Sequence, residues 1–313
     1  MTITQLITHS GGFHADELLS SVILTHLFPD ATLIRSRDAD VITPGPGKII
    51  YDVGRAYDAE AGIFDHHQRP VPLREDEQPY SSFGLIWKHF GHDYLRAVNV
   101  PEADVDRVHL SFDKGFVLPV DLLDNGAIEP SVAGPLAGMT LPTLLESLKP
   151  TFDDRGAGAD DQAFMAALPV ARAFVEAAIR NRAAKYRAET LVTEAIAQAG
   201  EGRILELPMG MPFRAAVEKT GADHLLFVIN PRENGDRVDW ALTTIRKGGD
   251  TFEARADLPG AWAGLNGADL AAVTGVEGAV FCHNALFIAV ANSRDGIVNM
   301  AQQAVAAAEA AGI

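Results

Sequence analysis

Apolar positions along this chain change spacing several times, and the changes mark out its elements. Residues 4–8 (Thr-Gln-Leu-Ile-Thr) form a short β-prone run that stops in a polar, glycine-bearing turn at residues 9–12. From Ala15, the positions Leu18, Leu19, Val22, Ile23 and Leu27 follow a helical period, and Pro29 closes the segment. Residues 31–35 read as the next strand and residues 48–53 (Lys-Ile-Ile-Tyr-Asp-Val) as a third. Strand, helix, strand in this order predicts a parallel α/β sheet. After a turn at residues 57–61, Gly62-Ile63-Phe64 leads into Asp65-His66-His67.

The pattern is helical from residue 81 to about residue 122, with Phe83, Ile86, Trp87 and Phe90 on one face. Residues 129–161 are rich in Pro, Gly and Asp and predict a loop or broken surface excursion. A long alanine-rich helix follows, from about residue 164 to 198. Beyond Gly200 the texture turns to short β-runs at 203–207, 225–229 and 240–245, and a last helix spans roughly 295–311. The expected architecture is α/β. Residues 1–199 form a parallel-sheet domain ending in a long connector helix, and residues 200–313 a smaller α+β domain.

Composition narrows the function. Apolar residues make up 47% of the 313, enough for a core in each half. Lys and Arg number 26 against 42 Asp and Glu, a net charge of −16. That balance argues against a broad non-specific grip on long duplex DNA. It leaves room for a nucleic-acid end held by bound cations and local arginines. Cys282 is the only cysteine, which excludes an intramolecular disulfide and a thiolate zinc cluster. No basic leader precedes the first apolar run, and no window approaches the roughly 20 apolar residues of a membrane span, so a soluble cytoplasmic protein is expected.

The candidate chemistry falls at the ends of predicted strands, where open α/β sheets place their ligands. His9-Ser10-Gly11-Gly12-Phe13-His14-Ala15-Asp16-Glu17 can turn His9, His14 and Asp16 into one space at a helix N-terminus. Asp52 ends the third strand, and Asp65-His66-His67 ends the fourth. Asp121 and Asp124 offer two more carboxylates just past a helical stretch. Each has an ordinary alternative: Asp16 as a first-turn acid, Asp52 as a turn residue, Asp124-Asn125-Gly126 as a plain turn. His26, His89, His92 and His109 read as ordinary surface or core histidines. Taken together, imidazoles mixed with carboxylates suit manganese or magnesium better than structural zinc. Four contributing clusters suggest two ions sharing bridging carboxylates, an arrangement suited to in-line phosphoryl displacement.

These segments resemble the DHH phosphoesterase superfamily, whose Asp-His-His motif is seen here as Asp65-His66-His67. They are most similar to its Myg (melanocyte-proliferating-gene) branch. The similar segments are Thr8 through Glu17, Asp52-Val53-Gly54-Arg55-Ala56-Tyr57-Asp58, Asp65 to Gln68, Ser81-Ser82-Phe83-Gly84-Leu85-Ile86 and Val120-Asp121 through Gly126. Near the C-terminus, Pro259-Gly260-Ala261-Trp262-Ala263-Gly264-Leu265 and Phe281-Cys282-His283 also match, so the resemblance covers nearly the whole chain. It implies a DHH-type metal-binding catalytic domain, a smaller substrate-binding domain and a cleft between them. It also implies His9, His14, Asp16, Asp52, His66 and Asp124 as metal ligands. Asp65 would be a ligand or the acid that orients one, and His67 would face the substrate phosphate, the two being the expected catalytic pair.

The resemblance further implies a manganese-dependent 3′–5′ exonuclease acting on RNA or short oligonucleotides, in which a metal-bridging hydroxide attacks phosphorus. A small-nucleotide phosphodiesterase or pyrophosphatase-like hydrolase is the alternative, and a metal-stabilised binding protein without turnover is a reading of another class. No membrane partner is implied, and a homodimer is one option for the oligomeric state. His283 and Arg294 are candidate phosphate contacts, an arginine fork being suited to phosphate oxygens. One departure concerns them. Where the family usually carries Gly-Gly, this chain has Ala291-Asn292-Ser293-Arg294, without the glycines that permit close backbone approach to a phosphate.

Overall fold

In the computed structural model, which describes residues 2–128, 134–154, 156–248 and 251–313, the chain forms two compact units, Met1–Ala184 and Lys185–Ile313. The first unit opens with β1 (Gln5–Thr8), α1 (Ala15–Leu27), β2 (Thr32–Arg35), β3 (Lys48–Tyr51), β4 (Tyr57–Asp58) and β5 (Ile63–Phe64). The sheet order is β2-β1-β3-β5-β4, with β4 alone antiparallel at the edge. The turn expected at 57–61 therefore starts with a two-residue edge strand.

Neighbouring Leu6 and Ile7 point to opposite faces and both are fully buried, so β1 is covered on both sides. Ile7, Ile50, Val53 and Ile63 cluster on one face with Ile34 and Ile42. On the other, the Tyr51 hydroxyl meets Ser21 of α1 at 2.6 Å, and α1 packs against α2 (Ser82–Ala97). Leu18, Leu19, Val22 and Ile23 carry no exposed surface, as their spacing requires.

The helical stretch after residue 81 breaks once, at Val98–Pro101, before α3 (Glu102–Phe112). A single π-helical turn, Asp113–Val117, then leads into α4 (Leu118–Asp124). Pro119 has no N–H to offer the carbonyl four residues back, which accounts for a wider turn just ahead of it. The loop expected at 129–161 falls partly on 129–133 and 155, outside the described residues. The rest contains α5 (Leu141–Glu146), capped by Thr140.

The long helix α6 (Ala159–Ala199) buries Phe164, Ala167, Ala171, Val175 and Ile179 in one stripe. Its length and composition alone would suffice to cross a membrane, although charged residues interrupt its apolar runs. Phe164 packs edge-on against Phe13, and Arg172 donates to Thr25, so this part of α6 belongs to the interior of the first unit.

The second unit contains β6 (Ile204–Glu206), α7 (Arg214–Lys219), β7 (Phe227–Asn234), β8 (Arg237–Thr244), α8 (Gly267–Thr274), β9 (Ala279–Cys282), β10 (Ile288–Ala291) and α9 (Arg294–Ala310). Its sheet runs β6-β7-β8-β10-β9, parallel only at β6 and β7. Phe227, Ile229, Leu242, Ala289 and Ala291 face α8 and α9, where Ile297, Met300 and Ala301 are fully buried. Leu205 and Val228 face the other way, toward Val192 of α6 and Val217 of α7. The architecture is mixed α/β, as expected, with α7, α8, β9 and β10 as additions to the sequence reading.

Candidate metal centre

Three strand ends and two helix ends deliver the site. His9 follows β1 directly, and the turn after it uses Gly11 at φ 93°. Asp52 follows β3 with φ 54°, a left-handed conformation that an aspartate tolerates better than most side chains. Gly54 behind it has φ 103°, and a Cβ there would stand 2.8 Å from the Ile63 side chain. Asp65, His66 and His67 follow β5. The N-terminus of α1 contributes His14, Asp16 and Glu17, and the end of α4 contributes Asp124 and Asn125.

These groups converge on Asp52. Its Oδ2 lies 3.3 Å from His9 Nε2, and its Oδ1 lies 3.3 Å from His66 Nε2. His9 Nε2 also faces Glu17 Oε1 at 3.1 Å. His66 Nε2 faces Asp124 Oδ2 at 3.2 Å and Asp16 Oδ2 at 3.8 Å. One set of potential ligand atoms is therefore His9, His14, Glu17 and Asp52, and another is Asp16, His66 and Asp124. A third joins Asp52, Asp65, His66 and His67.

Asp65 is oriented by its surroundings: it accepts from the backbone N–H groups of Arg55 and His66 and pairs with His67 Nδ1 at 2.7 Å. The His67 ring is 55% exposed, so its other nitrogen reaches open space.

The electrostatics fit a site for divalent cations. Asp16 is 1% exposed, and neither of its carboxylate oxygens has a hydrogen-bond partner among the described residues. Burial, with Asp52, Asp124 and Glu17 nearby, raises its pKa well above the ordinary range. Burial likewise raises Asp124, with Asp52 and Glu17 adding to it against the pull of His66 and His14. Burial also works against charge on Asp52, but the hydrogen bonds of His66 and His9 win and lower its pKa. A buried carboxylate without hydrogen bonds beside a carboxylate shared by two imidazoles suits divalent ions, whose charge would relieve both. The potential ligand set consists of imidazoles and carboxylates, without thiolates.

The expected ligands His9, His14, Asp16, Asp52, His66 and Asp124 all reach this cluster, with Asp65 and His67 beside them. Asp121 does not. It is fully buried and held by Arg74 at 2.6 Å, Ser81 Oγ at 2.7 Å and the Gly84 N–H at 3.0 Å. Glu17 was not among the ligands expected. Its carboxylate accepts from the His14 N–H at 2.8 and 2.9 Å, a helix-capping bond that also turns it toward His9. The acid three residues after a helix start was the available signal.

Arg294 and His283 lie in the second unit. The Arg294 fork is closed on Glu206, at 2.7 and 2.6 Å, and exposed His283 accepts from the Ala285 N–H. The departure from Gly-Gly is accommodated locally: Asn292 donates its N–H to the Gly278 carbonyl and occupies the space a Cβ at 278 would need. His26, His89, His92 and His109 sit outside the cluster: His26 against Tyr94, His89 against Tyr57, and His92 stacked on His109, which in turn stacks on Trp87.

A family model for MYG1 exonucleases, described as "Uncharacterised protein family (UPF0160)", matches residues 5–305. The human MYG1 exonuclease is 31% identical, with 96% of this chain and 85% of the human protein aligned. A MYG1 protein of Schizosaccharomyces pombe is 30% identical over 97% of this chain and 98% of its own length. Among solved structures, a pGpG-specific phosphodiesterase aligns over 98% of this chain and 99% of its own at 15% identity, with a TM-score of 0.31. That likeness is too distant to bear on the chemistry.

Proposed function

The chain belongs to the MYG1 exonuclease family of phosphoester hydrolases, and from that premise we propose that it is a divalent-metal-dependent 3′–5′ exonuclease trimming RNA or short oligonucleotides. The observation that carries this reading is Asp52, whose two oxygens face His9 and His66 from opposite sides. A carboxylate so placed is suited to be shared between two ions. His9, His14 and Asp52 would hold one, with Glu17 near, and Asp16, Asp52, His66 and Asp124 the other. Manganese or magnesium matches the donors. When bound, such a pair supplies activation of water and neutralisation of charge on the phosphoryl oxygens.

The remaining work falls to the chain itself. Asp65 holds His67 by Nδ1, which fixes the ring and presents Nε2 to the open side of the site. Asp65 also raises the pKa of His67 and so favours the imidazolium, which can donate Nε2–H to a phosphate oxygen or pass that proton to the leaving oxygen and return to the neutral ring. The left-handed turn at Asp52 and the cap at Glu17 hold the acids in place before substrate arrives.

The test is purified protein with added manganese, given a labelled short RNA, a short DNA and pyrophosphate, each repeated with Asp65→Ala. Stepwise, metal-dependent shortening of the RNA that the variant loses is the expected result. Hydrolysis of pyrophosphate alone would move the assignment to a small-molecule hydrolase, and no hydrolysis with metal bound would move it to a binding role.

A further inference from the structure

A short antiparallel hairpin in the second unit carries more cations than its own fold uses. Arg255 donates its N–H to the Ile245 carbonyl at 2.7 Å, Lys247 donates its own to the Glu253 carbonyl at 2.9 Å, and Arg246 pairs with Ala254 between them. Beside α7 the hairpin borders a cavity of about 130 Å³, whose charged lining is Arg214, Arg246, Lys247 and Arg255 with Glu218 and Asp223. Four basic residues against two acidic ones make a cationic patch in a chain of net charge −16.

Two of the four cations have structural work. Arg255 donates to the Ala222 and Leu225 carbonyls at 2.7 and 3.0 Å and to Asp223 at 3.0 Å, which ties the hairpin to the turn after α7. Lys247 pairs with Glu253 across the hairpin. Arg214 and Arg246 differ. Among the described residues, neither has a carboxylate within ion-pair distance, Glu218 included. The two are near enough to repel, since burial together with the charge of Arg246 holds the Arg214 pKa below its ordinary value. Arg246 sets its guanidinium 4.5 Å from the centroid of the Phe252 ring, a side chain 87% exposed. Core packing does not account for a phenyl ring so exposed, and it stands beside two cations without carboxylates.

We propose that this patch binds a single strand of nucleic acid, with a phosphate between Arg214 and Arg246 and a base stacked on Phe252. Guanidinium forks suit phosphate oxygens, and an anion between two such groups relieves their repulsion. Every base has a flat face to offer an aromatic ring, and a strand without its complement leaves that face free. Such contacts read phosphate and ring, not base edges, so the patch is tolerant of sequence. The binding needs neither metal nor turnover and therefore does not rest on the phosphoesterase reading. In a nuclease it would add affinity for longer strands over dinucleotides.

The test is fluorescence anisotropy of a labelled oligouridylate, about 12 nucleotides long, titrated with the full chain in chelator. Arg214→Gln combined with Arg246→Gln should weaken binding about tenfold. The slope of log affinity against log salt should fall by about 0.7 for each cation removed. Phe252→Leu, which keeps an apolar side chain without the ring, should by itself weaken binding about tenfold. Melting temperatures equal to that of the wild type check that the fold is intact. No binding by the wild type, wild-type affinity or salt slope in the double variant, or indifference to Phe252→Leu would each overturn the proposal. Displacement of the RNA by an equal concentration of uridine monophosphate would reassign the patch to a free nucleotide. Loss of binding to phosphatidylserine vesicles, with RNA binding unchanged, would reassign it to a membrane surface. Hydrolysis of a uridine dinucleotide in manganese, assayed in parallel, decides the phosphoesterase reading on its own: RNA binding that the variants lose, in a protein without hydrolysis, would sink that reading and keep this one.

Discussion

His66 Nδ1 lies 3.2 Å from Asn125 Oδ1, while the Asn125 amide nitrogen donates to the Tyr80 and Asp121 carbonyls at 3.1 and 2.8 Å. With both carbonyls on its nitrogen side, the amide presents oxygen to the ring. That oxygen takes the Nδ1 proton, so that once Nε2 gives up its own proton the lone pair is turned toward Asp16, Asp52 and Asp124. Removing the acceptor frees the ring to rotate or change tautomer. Asn125→Leu should weaken manganese binding by about 10- to 100-fold with the fold intact, whereas Asn125→Asp, which keeps an oxygen there, should lose much less. Calorimetric titration of both variants is the check; equal loss would assign Asn125 to the turn and not to the ring.

Asp16 makes the opposite kind of demand on the protein. Its carboxylate is buried without a hydrogen bond among the described residues and with only His66 Nε2 at 3.8 Å, an arrangement that costs stability until a cation arrives. Asp16→Asn should therefore make the metal-free protein more stable, by about 1–2 kcal/mol. The same change should remove most of the stabilisation that manganese confers on the wild type. Melting curves with chelator and with manganese decide it, and a variant less stable in chelator would show that the carboxylate has a structural partner.

How far the sequence reveals this site depends on what each residue's position encodes. The periodicity of Leu18, Leu19, Val22 and Ile23 gave α1, and its N-terminus placed His14 and Asp16 beside His9. Nothing in spacing distinguishes Asp121 from Asp124, since both follow a helical stretch. Their roles part only because Arg74 and Ser81 surround the first and His66 faces the second. Glu17 caps α1, a role that its place three residues after the helix start encodes, but its approach to His9 needs the turn at Gly11. The left-handed Asp52 has no sequence mark beyond the glycine two residues on. In the second unit, β9 and β10 are four-residue runs whose pairing comes from distant strands, and local pattern does not report it.

The pair Arg294 and Glu206 bears on whether the second unit touches phosphate. Both groups are exposed, and the fork is bidentate. If Arg294 meets substrate, Glu206 competes with it. Glu206→Gln should then lower KM for a short RNA several-fold and Arg294→Ala should raise it, with kcat changed little. Parallel KM values from the two variants would show that this pair serves the second unit alone.

The imidazoles set the pH dependence of loading. Burial works against charge on His9, but Asp52 and Glu17 overcome it and push its pKa up to about 10. For His66, burial is overcome by Asp52 and Asp124, and the value rises to about 9. Both exceed the ordinary value of 6.5, so between these limits the metal-free folded chain holds more protons than the unfolded one. The stability they contribute is complete below about 6.5 and is lost as pH rises through about 9 and 10. Metal coordination requires these nitrogens without protons, so manganese binding should release protons and tighten with rising pH. Between pH 6.5 and 9.5, the melting temperature in chelator should fall while the increment added by manganese grows. Titration in buffers of different ionisation enthalpy should register the released protons, and a manganese increment that stays flat across this range would exclude His9 and His66 as ligands.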